Sequence, residues 1–244
     1  MKRADLLFVV AIAVGAALTV QGQQAPAAQP PGFIGNAIQP PAMHSPEGFT
    51  PIFNGKDLTG WHISKTNHHG TTPDFHVMHG MIVATQNPLG GGGILLTDRK
   101  YKNVEVYLEV KPDWGCDGGL FLRSNEAGDA YQVTLDYLPE GQIGGIYGEG
   151  LKDVGGAPEP AWAKVWKRED WNTVRARIEG DVPHITVWVN DQQVTDFHDT
   201  ANHAANGITE GPIAIQVHGG SRWVPGGWWR WRAIAVKELG VPSP

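Results

Sequence analysis

Val104-Glu-Val-Tyr-Leu-Glu-Val-Lys111 alternates without a break, with Val104, Val106, Leu108 and Val110 on one side and Glu105, Tyr107, Glu109 and Lys111 on the other. Successive side chains of an extended chain point to opposite faces, so this run predicts a strand with one buried and one polar face. Pro112, which has no N–H to give a ladder, closes it.

The same period recurs outward from there. Leu120 and Leu122 oppose Phe121 and Arg123, while Tyr131, Val133 and Leu135 oppose Gln132, Thr134 and Asp136. Ile213, Ile215 and Val217 oppose Ala214, Gln216 and His218. A hairpin is predicted over 76–84 with its turn at His79-Gly80, strands over 172–179 and 185–189, and a turn at Asn190-Asp191 into a strand over 193–197. Ile234 and Val236 mark a last strand. Helical periodicity is almost absent beyond the first residues, which leaves a sandwich or a barrel.

The ends are of a different kind. Lys2 and Arg3 precede an apolar run from Leu6 to Val20, and Val20-Gln-Gly22 offers small residues for cleavage, so 1–22 reads as an export signal. The run is shorter than the roughly 20 residues a membrane span needs, and no stable membrane insertion is expected after cleavage. Residues 23–46, rich in Pro, Ala and Gln, read as a tether, and 47–240 as one domain. A secreted or periplasmic location follows from that reading. Net charge is −6 with scattered Lys and Arg, which gives no nucleic-acid footprint. Cys116 is the single cysteine, so no intrachain disulfide can form. No neighbour of Cys116 is a cation that would activate it, and a buried thiol is expected.

A polar sheet face carrying Glu, Arg, Gln, Asp and His suits a sugar, whose hydroxyls meet planar polar groups while its C–H faces meet aromatics. Trp114, Trp162, Trp166, Trp223, Trp228 and Trp229 are placed in loops beside strands, where such stacking is available. An ordinary glycosidase needs two carboxylates about 5–9.5 Å apart. Glu105 and Glu109 share a face but lie roughly 13 Å apart along a strand, so that pair is excluded. His68-His69 sits in a polar loop and His76/His79 bracket a hairpin turn without a third ligand, so a dedicated zinc site is not expected.

Phe53-Asn-Gly-Lys-Asp-Leu-Thr-Gly-Trp61, Gly118-Gly-Leu-Phe-Leu-Arg123, Tyr131-Gln-Val-Thr-Leu-Asp136, Ile185-Thr-Val-Trp-Val-Asn190 and Gly211-Pro-Ile-Ala-Ile-Gln-Val-His-Gly219 follow one another in order. Together they resemble the 3-keto-disaccharide hydrolase family, over nearly the whole span from Phe49 to Leu239. The resemblance implies an all-β, two-sheet antiparallel jelly-roll sandwich of concanavalin A-like type. It also implies cleavage of 3-keto-glycosides, in which the C3 ketone acidifies the C2 proton, elimination expels the C1 substituent and water adds back.

Parity and resemblance together nominate His218 as proton shuttle, since histidine titrates near neutrality, and Arg123 to polarise the keto oxygen. Asp136 or Glu109 would serve as base, orient His218 or hold a divalent metal; no cofactor is otherwise implied. Gln132, Gln216, Glu105, Tyr107, Trp114 and Trp223 are the substrate-binding candidates, for an oligosaccharide or glycoside. Two departures from the family pattern stand out: Gln132 where a glutamate is usual, and Asp191 in place of a turn glycine. The opening motif is expected to build a corner around Trp61 and carry no catalytic group. A non-catalytic carbohydrate-binding module on the same sandwich is the rival reading.

Overall fold

The computed structural model describes residues 45–66, 68–72, 74–136 and 142–240; residues 1–22, read above as an export signal, and almost all of 23–46, read as a tether, lie outside them. The described residues form two antiparallel sheets. The first runs, in spatial order, β13 (Gln192–His198), β12 (His184–Val189), β11 (Asn172–Glu179), β6 (Val104–Val110), β15 (Trp229–Glu238), β4 (Met81–Ala84), β3 (Phe75–Met78), with β1 (Thr50–Pro51) added beside β15. The second runs β10 (Gly155–Gly156), β9 (Ile143–Glu149), β8 (Ala130–Leu135), β7 (Gly119–Leu122), β14 (Gly211–Val217), β5 (Gly93–Tyr101), β2 (Trp61–Ile63). This is the expected two-sheet sandwich.

The alternation sorts side chains as predicted. Val104, Val106, Leu108 and Val110 from the first sheet meet Leu120, Leu122, Tyr131, Val133, Leu135, Ile213, Ile215 and Val217 from the second in one buried core. Fully burying each aliphatic side chain contributes about 1.5–3 kcal/mol, which supplies a fold that has no disulfide. Trp229 and Trp231, stacked at 5.3 Å, lie inside it. Trp229 therefore belongs to strand β15 and is fully buried, not in a loop where a sugar could stack on it. Cys116 is buried, and desolvation pushes its thiol up to about 11.

The opening motif builds the expected corner. Asn54 Oδ1 accepts from the amides of Lys56 (2.7 Å) and Asp57 (3.0 Å), and Asp57 Oδ1 accepts from the amide of Thr59 (2.9 Å). Trp61 is buried, and its indole N–H donates to the carbonyl of Ile52 at 2.8 Å. Hydrogen bonds from Asn54 and Thr59 hold the Asp57 carboxyl down at about 2. The Asn54 and Asp57 side chains and the Trp61 indole are thus used within the corner.

Candidate functional site on the second sheet

The outer face of the second sheet carries Gln132 and Thr134 from β8, Phe121 from β7, Ala214 and Gln216 from β14, and Tyr147 and Glu149 from β9. Backbone register sets Tyr147 opposite Gln132, Gln132 opposite Phe121, and Phe121 opposite Ala214. A ladder irregularity between Val133 and Leu135 leaves Gln132 and Asp136 on the predicted side. Gly119 allows the close packing here: a Cβ on it would fall 2.4 Å from Gln132 Nε2.

A strap then lies over part of this face. Ser64 Oγ and Thr66 Oγ1 donate to the carbonyl of Glu126 at 2.7 and 3.2 Å, in the β7–β8 turn. At the other end the amides of Gly92 and Thr72 bond the carbonyls of His69 and Gly92, both at 3.0 Å. Gly92 has no room for a side chain, since a Cβ would lie 2.4 Å from Gly219 N and Val217 O. Ile94, Leu96, Phe121, Ala130 and Ala214 form a small second core on this face. The strap delivers His68 and His69 onto the sheet.

Two groups of functional side chains meet there. In the first, His68 Nε2 and His69 Nε2 lie 2.5 and 3.1 Å from the same oxygen of Glu149, Oε1. His68 Nδ1–H donates to the carbonyl of Ala127 at 3.1 Å. With that nitrogen committed, a neutral His68 turns its Nε2 lone pair toward a carboxylate oxygen, an arrangement that needs a proton or a cation between them. Burial pushes the Glu149 carboxyl up, but hydrogen bonds and charge from His69 and His68 outweigh it and hold it below its usual value. The ligand atoms of the three residues all lie within 4.8 Å of one another. Two imidazoles and a carboxylate are a donor set that suits a first-row divalent metal.

The second group stands beside it, with the His69 and His218 rings 4.9 Å apart. His218 Nδ1–H donates to the carbonyl of Gly219 at 2.6 Å, which fixes the tautomer and leaves Nε2 as the basic nitrogen. That Nε2 lies 3.8 Å from Asp117 Oδ2. Arg222 donates to Asp117 at 2.9 Å and also reaches Asp136, bridging the two carboxylates. Burial raises the Asp117 carboxyl above its ordinary value despite the nearby charges of His218 and Arg222. Gln86 donates to the carbonyls of His218 (2.7 Å) and Gly220 (2.9 Å), pinning the loop that presents the imidazole.

Gln132 and Gln216 lie between these groups on the sheet floor. Gln132 Nε2 donates to Gln216 Oε1 at 3.1 Å, and the fully buried Gln216 keeps an Nε2 without a partner. A glutamate at position 132, the residue expected from resemblance, would find that spare donor once the Gln216 amide turned over.

Of the nominated residues, the structure brings together His218, Asp136, Gln132 and Gln216. It places the others elsewhere. Glu105, Tyr107 and Glu109 do point away from the core as parity requires, but on the outer face of the first sheet, the opposite side of the sandwich. Glu105 is held there by Arg175 (2.9 Å) and Arg177 (3.1 Å), and Glu109 by Arg232 (2.6 Å). Arg123 leaves its strand with φ of 49°, which turns its guanidinium off the sheet face to donate to the carbonyls of Lys102 (3.2 Å) and Gly180 (2.6 Å). Only 1% exposed, it is a buried tie between loops and cannot reach a keto oxygen. Trp114 carries the guanidinium of Arg168 at 3.8 Å from its ring centre. Trp223 is buried in the main core, although its neighbour Arg222 is in the site.

Sequence reasoning missed Asp117, Arg222, Glu149 and Tyr147, and set His68-His69 aside. The signal for the histidines was present, but their third ligand lies 80 residues along the chain from His69. Gly144-Gly145 breaks the alternation that would have exposed β9.

A family model described as the 3-keto-alpha-glucoside-1,2-lyase-like domain matches residues 48–237. The chain belongs to that family. No curated protein matches it by sequence. Among solved structures, this lyase-like domain is similar to a Parabacteroides distasonis ATCC 8503 protein provisionally described as a glycosyl hydrolase. That match has 20% identity and a TM-score of 0.56, covering 80% of this chain and 95% of that one. It is also similar to the metal-free carbohydrate recognition domain of Emp46p, at 11% identity and a TM-score of 0.50, covering 80% and 96% of the two chains. A structure reported with endo-acting O-glycanases of the human gut microbiota, which initiate mucin breakdown, matches at 10% identity and a TM-score of 0.53, covering 77% and 97%. At these identities the likeness is one of fold. The family gives the lyase-like domain a carbohydrate-related role, and no helix among its described residues is long and apolar enough to cross a membrane.

Proposed function

We propose that the domain cleaves the glycosidic bond of 3-keto-glycosides by C2-proton abstraction, elimination and hydration. The observation that carries this reading is the Nε2 of His218, left basic by its tautomer, set beside a buried aspartate and next to a His-His-Glu cluster on the outer face of the second sheet. With the keto sugar on that face, His218 Nε2 takes the C2 proton. The electrons left at C2 form the C1=C2 bond as the C1–O bond breaks, and the leaving oxygen takes up a proton. Water then adds across C1=C2, its hydroxyl to C1 and a proton to C2, giving a free 3-keto sugar. Asp117 stabilises the imidazolium formed in the first step, and Arg222 holds Asp117 and Asp136 in place. General acid–base groups so placed contribute about 10²–10⁴-fold.

His68, His69 and Glu149 would hold a divalent metal, which would supply fixed positive charge beside the developing enolate oxygen. That function replaces the one sequence reasoning gave Arg123. The export reading places the reaction in the periplasm or outside the cell.

The test incubates purified protein with 3-keto-trehalose, with and without EDTA, and follows free sugar. In D2O the released 3-keto-glucose is expected to carry deuterium at C2, and EDTA to suppress turnover. No turnover at high enzyme concentration, with binding of plain oligosaccharide retained, would overturn this reading in favour of a binding module. Turnover without C2 deuteration would overturn the elimination step.

A further inference from the structure

We infer that the domain has a second metal site, built from His184, Asp196 and His198 on the outer face of the first sheet, which takes a transition-metal dication such as Zn2+. It uses none of the residues of the proposed active face. The β11–β12 register sets Glu179 opposite His184, and the β12–β13 register sets His184 opposite His198. Asp196, two residues before His198, lies on the same face by the two-residue period. Ile185 and Val187 on β12 are buried in the core and Phe197 on β13 packs against it, so the polar chains that alternate with them point outward together. The nearest register shift lies between Val187 and Trp188, beyond the row, and does not disturb it.

Side-chain geometry turns this row into a chelate. The His184 and His198 rings face each other at 3.9 Å between centroids and 11° between planes. His184 Nε2 is 2.5 Å from Asp196 Oδ1, and His198 Nε2 is 3.8 Å from the same oxygen. The donor atoms of all three residues lie within 4.8 Å of one another, so small side-chain rotations bring two nitrogens and one oxygen to ligand distance of a common ion.

The fourth residue gives the cluster its direction. Glu179 Oε1 stands 3.6 Å from His184 Nδ1, on the far side of the ring from Asp196. A carboxylate hydrogen-bonded behind a ligating imidazole is the usual outer shell of a metal-binding histidine; Glu179, whose Oε1 also stands 3.7 Å from Arg177 Nη1, is a small side-chain movement short of making that bond. A simple His–Asp ion pair needs neither the second imidazole opposite nor the carboxylate behind. Imidazole-rich sets favour Zn2+, Ni2+ or Cu2+ over the oxygen-seeking Mg2+ and Ca2+. The ion would clip β13, the outermost strand of its sheet, to β12.

The experiment uses the tag-free domain carrying His68→Ala and His69→Ala, which blanks the other cluster, and titrates it calorimetrically with ZnCl2. One equivalent of Zn2+ is expected to bind, with MgCl2 giving no heat. His198→Ala is expected to weaken Zn2+ binding by more than about tenfold, and Glu179→Gln by roughly tenfold. Cu2+ is expected to broaden the ring resonances of His184 and His198 selectively. No Zn2+ heat in the blanked protein, or binding unchanged by His198→Ala, would overturn the site and leave an ion pair only. His198 and Asp196 are exposed on the edge strand, and circular dichroism of each variant confirms the fold before titration, so either outcome is informative.

Discussion

The two outer faces of this sandwich come from the same alternating sequence pattern, and they end up chemically opposite. Along the central strands β11, β6 and β15 of the first sheet the prominent carboxylates are answered on the spot. Glu105 is clamped by Arg175 and Arg177, Glu109 by Arg232, and the guanidiniums of Arg175 and Arg232 lie over Trp188 and Trp171 at 4.1 and 3.9 Å. On the second sheet groups of like character are pressed together. Two histidines share one glutamate oxygen, one arginine serves two aspartates, and a buried amide donor has no partner. Saturated pairs stabilise a surface; crowded and under-satisfied groups there mark where a ligand completes the arrangement. That crowding in the middle of the second face supports the proposed active site there, while the comparable group on the first face, His184, His198 and Asp196, is confined to its β12–β13 edge.

The sharpest way to break that contrast is to remove one group from each face. His218→Ala is expected to lower kcat on 3-keto-trehalose by at least about a hundredfold, while Glu109→Gln leaves it unchanged. Equal loss in both variants would show that the faces had been assigned the wrong way round. Arg123→Met, inside the sandwich, is expected to act on stability instead. It strands the carbonyls of Lys102 and Gly180 and should cost roughly 2–4 kcal/mol in urea unfolding. Activity per folded molecule should stay intact; a selective loss of kcat would return Arg123 to the chemistry.

How much of this was legible in the sequence follows from what alternation can and cannot say. It sorted Val104 through Val110 and Tyr131 through Asp136 correctly, because core burial enforces a two-residue period. It could not say which sheet a strand joins, so Glu109 on β6 and Asp136 at the end of β8 looked like neighbours while lying on opposite sides of the sandwich. Arg123 failed for a local reason: one residue in the left-handed region ends the period. The crowded site was hidden because it joins loop residues to strand residues far away along the chain. Glu149 meets His68 and His69 only through the strap, and Arg222 meets Asp117 only through the β14–β15 connection. The family motifs named the fold, His218 and Asp136, but did not mark Asp117, the carboxylate that faces His218.

Two smaller changes sharpen the picture of the second face. Tyr147 is 53% exposed, opposite Gln132 on the site's rim, and offers the ring on which a sugar's C–H face would stack. Tyr147→Ala is expected to raise KM by roughly five- to tenfold, in line with about 1 kcal/mol for a ring contact, with kcat little changed. A fall in kcat alone would place Tyr147 in the chemistry and not at the rim.

The smallest expected effect lies at the strap's entry, where His62 touches Asp98 (2.6 Å) and Glu126 (3.0 Å). Desolvation lowers the imidazole's affinity for its proton, but hydrogen bonds and charge from Glu126 and Asp98 outweigh it and raise the pKa above the ordinary value. A raised folded-state pKa means the folded protein holds this proton more tightly than the unfolded chain does. The resulting stability is fully present below the unfolded value, near pH 6.5, and is lost as pH rises through the folded value. The side chain is 42% exposed, so solvent screening limits the gain to a few tenths of a kcal/mol. The stability deficit of His62→Gln should therefore be measurable at about pH 5.5–6, where both carboxylates are still ionised, and vanish by about pH 8.5. A deficit that grew with pH would mean that neutral His62 is the form the strap uses, and that its two carboxylate contacts are incidental.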